Sequence, residues 1–276
     1  MAGSSPEKKG SENIFARFGR QLAARWDELL SFIAFLGRAV YSCLDALRHP
    51  GKIRKRETFY YMNLCGADGL PITALITFLT GIILAYQSAV QMEKYGADGF
   101  LAGLVGCAMV RELAPLMVAI IATGRVGSAF AAEIGSMKIS EEIDALRTMG
   151  ILPERFLFIP KLIAMVTMMP LLAIAGDILG ILGGALIGTT FLGQTAGSYY
   201  SMTITWVKPE YFVESIIKTF LFGIIITLVS CHQGFLTGKD ALAVGRSTTR
   251  AVVLSILFVI IADTILAHFF NTIFFD

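Results

Sequence analysis

Five stretches of this 276-residue chain are apolar for long enough to cross a lipid bilayer, and nothing else in the sequence constrains the fold as much. Inside hydrocarbon no water is present to satisfy backbone N–H and C=O groups. A spanning segment therefore closes its hydrogen bonds within itself, as a helix of about 20 residues. The stretches are 70–92, 99–123, 158–192, 211–232 and 248–270. Five such runs could not all be core helices of a soluble domain of this size. Composition agrees, because only 16% of residues are charged, against about a quarter in an ordinary soluble domain. The expected class is an all-α integral membrane protein. The third run is longer than one perpendicular span needs, so it should tilt or bend, with Pro170 as the bend.

The positions of Lys and Arg predict the topology. With the N-terminus in the cytoplasm, nineteen basic residues fall on the inner side and two, Lys94 and Lys208, on the outer side. The first 28 residues are polar and lack the compact apolar core of a cleavable signal, so the first span is expected to direct insertion. A cytoplasmic N-terminus, an outer C-terminus and a bacterial inner membrane are the expected setting. Cys43, Cys65, Cys107 and Cys231, like His49, His232 and His268, are dispersed without ligand spacing, so neither a metal site nor a disulfide framework is expected.

Residues 1–12 are expected to be a disordered tail, 13–66 to form interfacial and elbow helices, and 67–276 to form the five-span domain. In the second of these segments Phe15, Phe18, Leu22, Trp26, Leu29, Ile33, Leu36 and Val40 recur at three- and four-residue steps, with charges between them. That pattern suits a helix lying in the membrane interface, although a helix packed on protein gives the same stripe. The basic turn "RHPGKIRKR" (48–56) and the aromatic "FYYM" (59–62) then lead into the first span.

Between spans two and three, small residues at Gly124, Ser128 and Ala132, and at Gly127, Ala131 and Gly135, repeat every fourth position and allow close helix approach. A short helix over about 139–150 follows. Ser140 is its expected N-cap, Glu141 and Glu142 lie in its first turn, and Arg147 in its last. Gly150 and Pro153 stop it. Ile139, Ile143, Leu146 and Met149 share one face, which either packs beneath the bundle or projects as an apolar knob edged with charge.

The run "RELAPLMVAIIATGRVGSAFAAEIGSMKISEEIDALRTMGILP" (111–153) resembles the signature of the MlaE/YrbE-type permeases, the membrane subunits of MCE-associated ABC lipid transporters. "PLLAIAGDILGILGGALIG" and "GRSTTRAVV" extend the likeness over residues 10–274. The resemblance implies an interfacial N-terminal helix, five spans and a cytoplasmic coupling helix. It also implies a homodimer working with two copies of a separate ABC ATPase and a ring of MCE proteins outside, with lipid, phospholipid foremost, as substrate. Nucleic acid has no place in it. The helix at 139–150 becomes the coupling helix, with Glu133, Ile139, Glu141, Glu142, Ile143, Leu146, Arg147 and Met149 as the residues implied in ATPase coupling. ATP and Mg²⁺ would belong to the partner. The one near miss to a phosphate-binding loop here, "GFLTGKD" (234–240), has the wrong spacing and Asp where Ser or Thr is needed.

Arg111 and Glu112 stand inside the second span, where an uncompensated charge costs about 3 kcal/mol on insertion scales. Adjacent helical residues point about 100° apart, so the two should face different neighbours. They either form structural ion pairs, with Lys218 or Asp177 as candidate partners, or line a cavity for a polar headgroup, the role that the resemblance implies. Pro115 frees the carbonyl of Arg111 and invites a kink beside it. Leu84, Tyr86 and Gln87 are further candidates for the cavity wall. Asp177 begins a ladder with Gly176, Gly180, Gly184 and Gly188 that reads as a packing stripe, and Asp263 and His268 are expected at the outer interface. Two other classes compete with a non-catalytic permease. An ion-coupled transporter or channel using Arg111 and Glu112 is weakened by the lack of an inverted repeat. An intramembrane enzyme finds no nucleophile–base pair, HExxH motif or carboxylate dyad.

Overall fold

In the computed structural model, described for residues 14–275 apart from 50, 52 and 97, eleven α-helices account for nearly all of the chain and no strand occurs among the described residues. The expected tail, 1–12, lies outside the described residues. The helices are α1 (Ile14–Arg48), α2 (Lys55–Cys65), α3 (Leu70–Glu93), α4 (Leu101–Ala108), α5 (Ala114–Ala122), α6 (Ser128–Ile139), α7 (Glu142–Thr148), α8 (Ile159–Thr190), α9 (Ala196–Trp206), α10 (Pro209–Phe235) and α11 (Ala241–Phe275). Wide π-helical turns join α4 to α5 at Met109–Leu113 and α5 to α6 at Thr123–Gly127, and a third precedes α8 at Glu154–Phe158. Six helical stretches are long and apolar enough to cross a membrane.

Five of the six correspond to the expected spans, to within two residues where they fall short of them. The second extends well beyond its expected end at 123, because Leu101–Ile139 is one continuous helical stretch of 39 residues. At 1.5 Å per residue that is about 58 Å, far more than the ~30 Å of a hydrocarbon core. Its last turns therefore protrude from the apolar layer and carry α7. Of the two small-residue rows, Gly127 packs on Ser230 and Ile226 of α10 and Gly135 on Thr237 just after it, while Gly124 faces open space. Across the bundle, α3 and α8 touch backbone to backbone. A Cβ on Gly81 would collide with the Gly180 carbonyl, and one on Gly183 with that of Phe78. The glycine ladder on α8 is a packing stripe, as expected, with Gly180 beneath Met109 and Gly184 and Gly188 beneath Tyr199. Tyr199 belongs to α9, a helix in the stretch taken from sequence as an outer loop.

The sixth stretch, Leu30–Arg48, is the second half of α1. Its described side chains present two apolar faces. Phe35, Ala39, Ser42 and Ala46 are buried, whereas Trp26, Ile33, Leu36 and Val40 of the expected stripe are exposed. The side chains of Phe15, Phe18, Leu22 and Leu29 lie outside the described residues. Most partners of α1 come from one end of the bundle: Phe35 packs on Phe158 and Phe235, Arg38 pairs with Glu154 at 2.7 Å, and Asp45 pairs with Arg155. Phe32, one turn before Phe35, stacks on Phe258 in the middle of α11.

Candidate functional site

The π-helical turn Met109–Leu113 carries both charges of the second span. Pro115 has no N–H to offer the Arg111 carbonyl, and the structure fills that vacancy from another helix: Lys218 Nζ of α10 donates to Arg111 O at 2.8 Å. The same ammonium lies 2.8 Å from Glu112 Oε2, 3.3 Å from Glu214 and 3.4 Å from Asp263 of α11. Arg111 reaches the other way. Its Nε donates to Glu214 at 3.0 Å, its Nη2 to Asn271 Oδ1 at 2.6 Å, and its guanidinium lies 4.9 Å from the Tyr211 ring centre. Two cations and three carboxylates thus interlock three helices.

Burial grades the cluster. Lys218 and Glu214 are fully buried, the Arg111 and Asp263 side chains are 15% and 14% exposed, and that of Glu112 is 37% exposed. Inside a low-dielectric bundle, charges persist only when paired, and each interior member has an ion-pair partner, although Glu214 Oε1 and Asp263 Oδ1 lack a hydrogen bond among the described residues. Glu112 is the member that faces outward. Of the two sequence candidates for pairing, Lys218 takes Glu112, whereas Asp177 is buried and accepts from Ser215 Oγ at 3.1 Å. Asp263 is a member of the cluster and not the solvated end expected of it, because α11 turns it towards Lys218. His268 is exposed. Leu84 packs against the buried Ala85–Met109 group, Tyr86 sits edge-on to Phe191, and Gln87 is exposed on α3. The partners of Arg111 and Glu112 named above come instead from α10 and α11. Glu214 and Asn271 were missed by sequence reasoning, although Glu214 and Lys218, four residues apart in an apolar run, carried a readable signal.

At the opposite end, near α7, a second polar cluster surrounds Lys161. Its fully buried ammonium lies 2.7 Å from Tyr61 Oη and 3.1 Å from Glu133, and Tyr61 Oη donates to Glu133 at 2.5 Å. It also sits 4.2 Å from the Tyr61 ring centre and 5.5 Å from that of Phe130. Glu133 therefore binds α6 to α2 and α8, with its side chain 39% exposed.

The helix expected over about 139–150 is present as α7, shorter and differently capped. Ser140 terminates α6, its hydroxyl donating to the Ser136 carbonyl at 3.1 Å, and it does not cap α7. The chain turns at Glu141, whose φ of 59° is left-handed. Ile143 and Leu146 are buried among Phe35, Ile134, Phe158 and Cys231. The apolar face thus packs beneath the bundle, because α1 and the start of α8 close over it, and no apolar knob projects from those two positions. Ile139 is half-buried, while Glu141, Glu142, Asp144, Ala145, Arg147 and Met149 form the outward surface. Lys138 holds α6 to the end of α10 by donating to the Phe235 carbonyl at 2.6 Å. No His, Cys, Asp and Glu grouping able to hold a metal occurs among the described residues.

Comparison with known proteins gives a consistent picture. The family model described as Permease MlaE matches residues 58–269. A probable ABC transporter permease protein of Rickettsia conorii is 36% identical over 258 residues, 94% of this chain and 98% of its own length. The intermembrane phospholipid transport system permease protein MlaE of Haemophilus influenzae is 32% identical over 248 residues, 89% of this chain and 95% of its own. The chloroplastic protein trigalactosyldiacylglycerol 1 of Arabidopsis thaliana is 34% identical over 220 residues, 80% of this chain and 63% of its own.

Proposed function

The chain belongs to the MlaE permease family, and from that premise we propose that it is the membrane subunit of an ABC transporter that moves phospholipid between an inner membrane and an MCE protein outside it. It works as a homodimer, driven by two copies of a separate ATPase, with its N-terminus and α7 in the cytoplasm and its C-terminus on the outer side. The nineteen-to-two bias of basic residues supports that orientation. It assigns the Lys161 cluster to the inner half of the bundle and the Arg111 cluster to the outer half.

One observation carries the substrate reading: within a charged network that is otherwise mostly buried, Glu112 stays 37% exposed, next in sequence to Arg111 and paired with the buried Lys218. A phospholipid headgroup offers a phosphate for Arg111 and, in ethanolamine lipids, an ammonium for Glu112. Apolar walls take the acyl chains, with Leu84, Tyr86 and Gln87 of α3 proposed on the same pathway. Ion coupling would instead need these charges to be released during transport.

ATPase docking falls to the outward surface of α7, Glu141, Glu142, Arg147 and Met149, with Ile139 at its edge. Ile143, Leu146 and Glu133 act through the packing that holds the helix in place. The test is phospholipid-stimulated ATP hydrolysis by the reconstituted complex. Arg111→Ala and Glu112→Ala should each abolish most of the stimulation, and Glu142→Arg/Arg147→Glu should release the ATPase while leaving the permease folded. Stimulation that follows an imposed ion gradient, with no response to phospholipid, would return Arg111 and Glu112 to an ion-coupled transporter.

A further inference from the structure

A cleft of about 290 Å³ opens at the α7 end, bounded by the last turn of α1, the residues entering α2, the segment leaving α7 and the start of α8. Among the described residues its two charged lining residues are both guanidinium groups, Arg54 and Arg155, and no carboxylate lines it. Their anionic partners stand outside the lining: Glu57 pairs with Arg54 and Asp45 with Arg155. Arginine has five N–H donors, so one carboxylate apiece leaves donors to spare. The side chains are 41% and 28% exposed. Arg54 is further fixed by stacking 4.1 Å from the Phe156 ring centre. Two oriented guanidinium groups in one concavity form a phosphate-recognition arrangement.

The rest of the lining is apolar, with Ile53, Leu152, Phe156 and Pro160 among it. The helices that bound the cleft also carry exposed apolar side chains within about a turn or two of its lining residues in sequence: Leu44 is 52%, Leu47 78%, Phe59 68% and Tyr60 63% exposed. Exposed aromatic side chains beside basic residues mark the headgroup level of a membrane. This combination favours a lipid over a small anion from solution, because acyl chains have apolar surface to follow away from the two cations. A neighbouring cleft of about 430 Å³ includes Glu154 in its lining and is less suited to an anion.

We propose that the Arg54–Arg155 cleft binds the phosphate-bearing headgroup of an anionic phospholipid from the leaflet on the α7 side, at a site separate from the Arg111 cluster. Such a lipid would rest against Gly150, Ile151 and Leu152, which follow the C-cap Met149 of α7. The site therefore couples the lipid composition of that leaflet to the position of α7.

The test is photo-crosslinking of the full chain in nanodiscs with a headgroup-diazirine phosphatidylglycerol, the adducts being mapped by peptide mass spectrometry. Adducts are expected in 148–160, and an equivalent phosphatidylcholine probe should give far fewer. One basic residue near a membrane surface is worth about fivefold in affinity for anionic lipid, so Arg54→Gln/Arg155→Gln should lower labelling about 25-fold. Arg54→Lys/Arg155→Lys should restore most of it, which separates loss of charge from loss of fold. Equal labelling by the two lipids, unchanged labelling in the Gln variant, or no rescue by Lys would each overturn the proposal. Competition by soluble glycerol phosphate at the probe's own concentration would overturn it as well, by showing a site for a free anion.

Discussion

Removing the Lys218 ammonium would leave Glu112 and Asp263 without their cation, Glu214 with Arg111 alone, and the carbonyl of Arg111 open inside the bundle. Breaking a buried pair from one side costs about 3–5 kcal/mol. Lys218→Met should therefore lower the Tm of the detergent-solubilised protein sharply, and an unchanged Tm would show that the network contributes little to stability. Glu141 gives a prediction of the opposite sign. A left-handed φ costs an L-residue about 1–2 kcal/mol, while a negative charge near the start of α7 returns only about 0.3–1 kcal/mol. Glu141→Gly should thus raise the unfolding temperature slightly, provided that the partner ATPase is absent during the measurement. At this scale the sequence was partly legible. Pro115 announced the freed carbonyl of Arg111, and Lys218 was a candidate partner for the pair. Asn271 was not foreseeable, since nothing local to position 271 says that α11 will bring it beside residue 111.

Elements were the most readable part of the chain. Hydropathy summed over some twenty residues is a strong local signal, and each expected span is a helix. The errors lay at boundaries and faces. Span two was expected to end at 123, yet Thr123–Gly127 continues as a π-helical turn into α6, whose approach to α10 and the residues after it is close at Gly127 and Gly135. Ser140 was expected to start α7 but ends α6, since its hydroxyl finds a carbonyl one turn back. The contact between α3 and α8 yields a prediction at this level. Gly81→Val puts side-chain atoms where the Gly180 backbone already lies, and overpacking of this kind costs about 1–3 kcal/mol or more. Lowered thermal stability is expected, together with easier proteolysis in the α8–α9 connection. Gly99→Val, at a position open to solvent, should leave both unchanged.

Seen whole, the molecule is unevenly closed. Half of the α10 window is buried, whereas only 11% of the α11 window is. Val253, Leu257, Ile261 and Ile265 are among the apolar residues that α11 leaves exposed. In a membrane such a face meets lipid or a second copy, and the proposed homodimer predicts which. With the four native cysteines replaced, Cys introduced at Ile261 or Ile265 should form an oxidised dimer in native membranes, and Cys at Leu75 of α3 should not. If all three positions behave alike, α11 is not the dimer face. The apolar runs determined on their own that this chain forms membrane-spanning helices, because a backbone in hydrocarbon must satisfy itself locally and each run carries that requirement within twenty residues. Tertiary structure alone decided which way α7 turns its apolar face, which face of α1 is buried against α8 and α10, and that Glu214, Asp263 and Asn271 gather around Arg111 and Lys218. Those outcomes join residues far apart in the chain, Arg111 and Glu214 being 103 positions apart and Lys218 and Asp263 on different helices, and only the packing of whole helices brings such residues within reach.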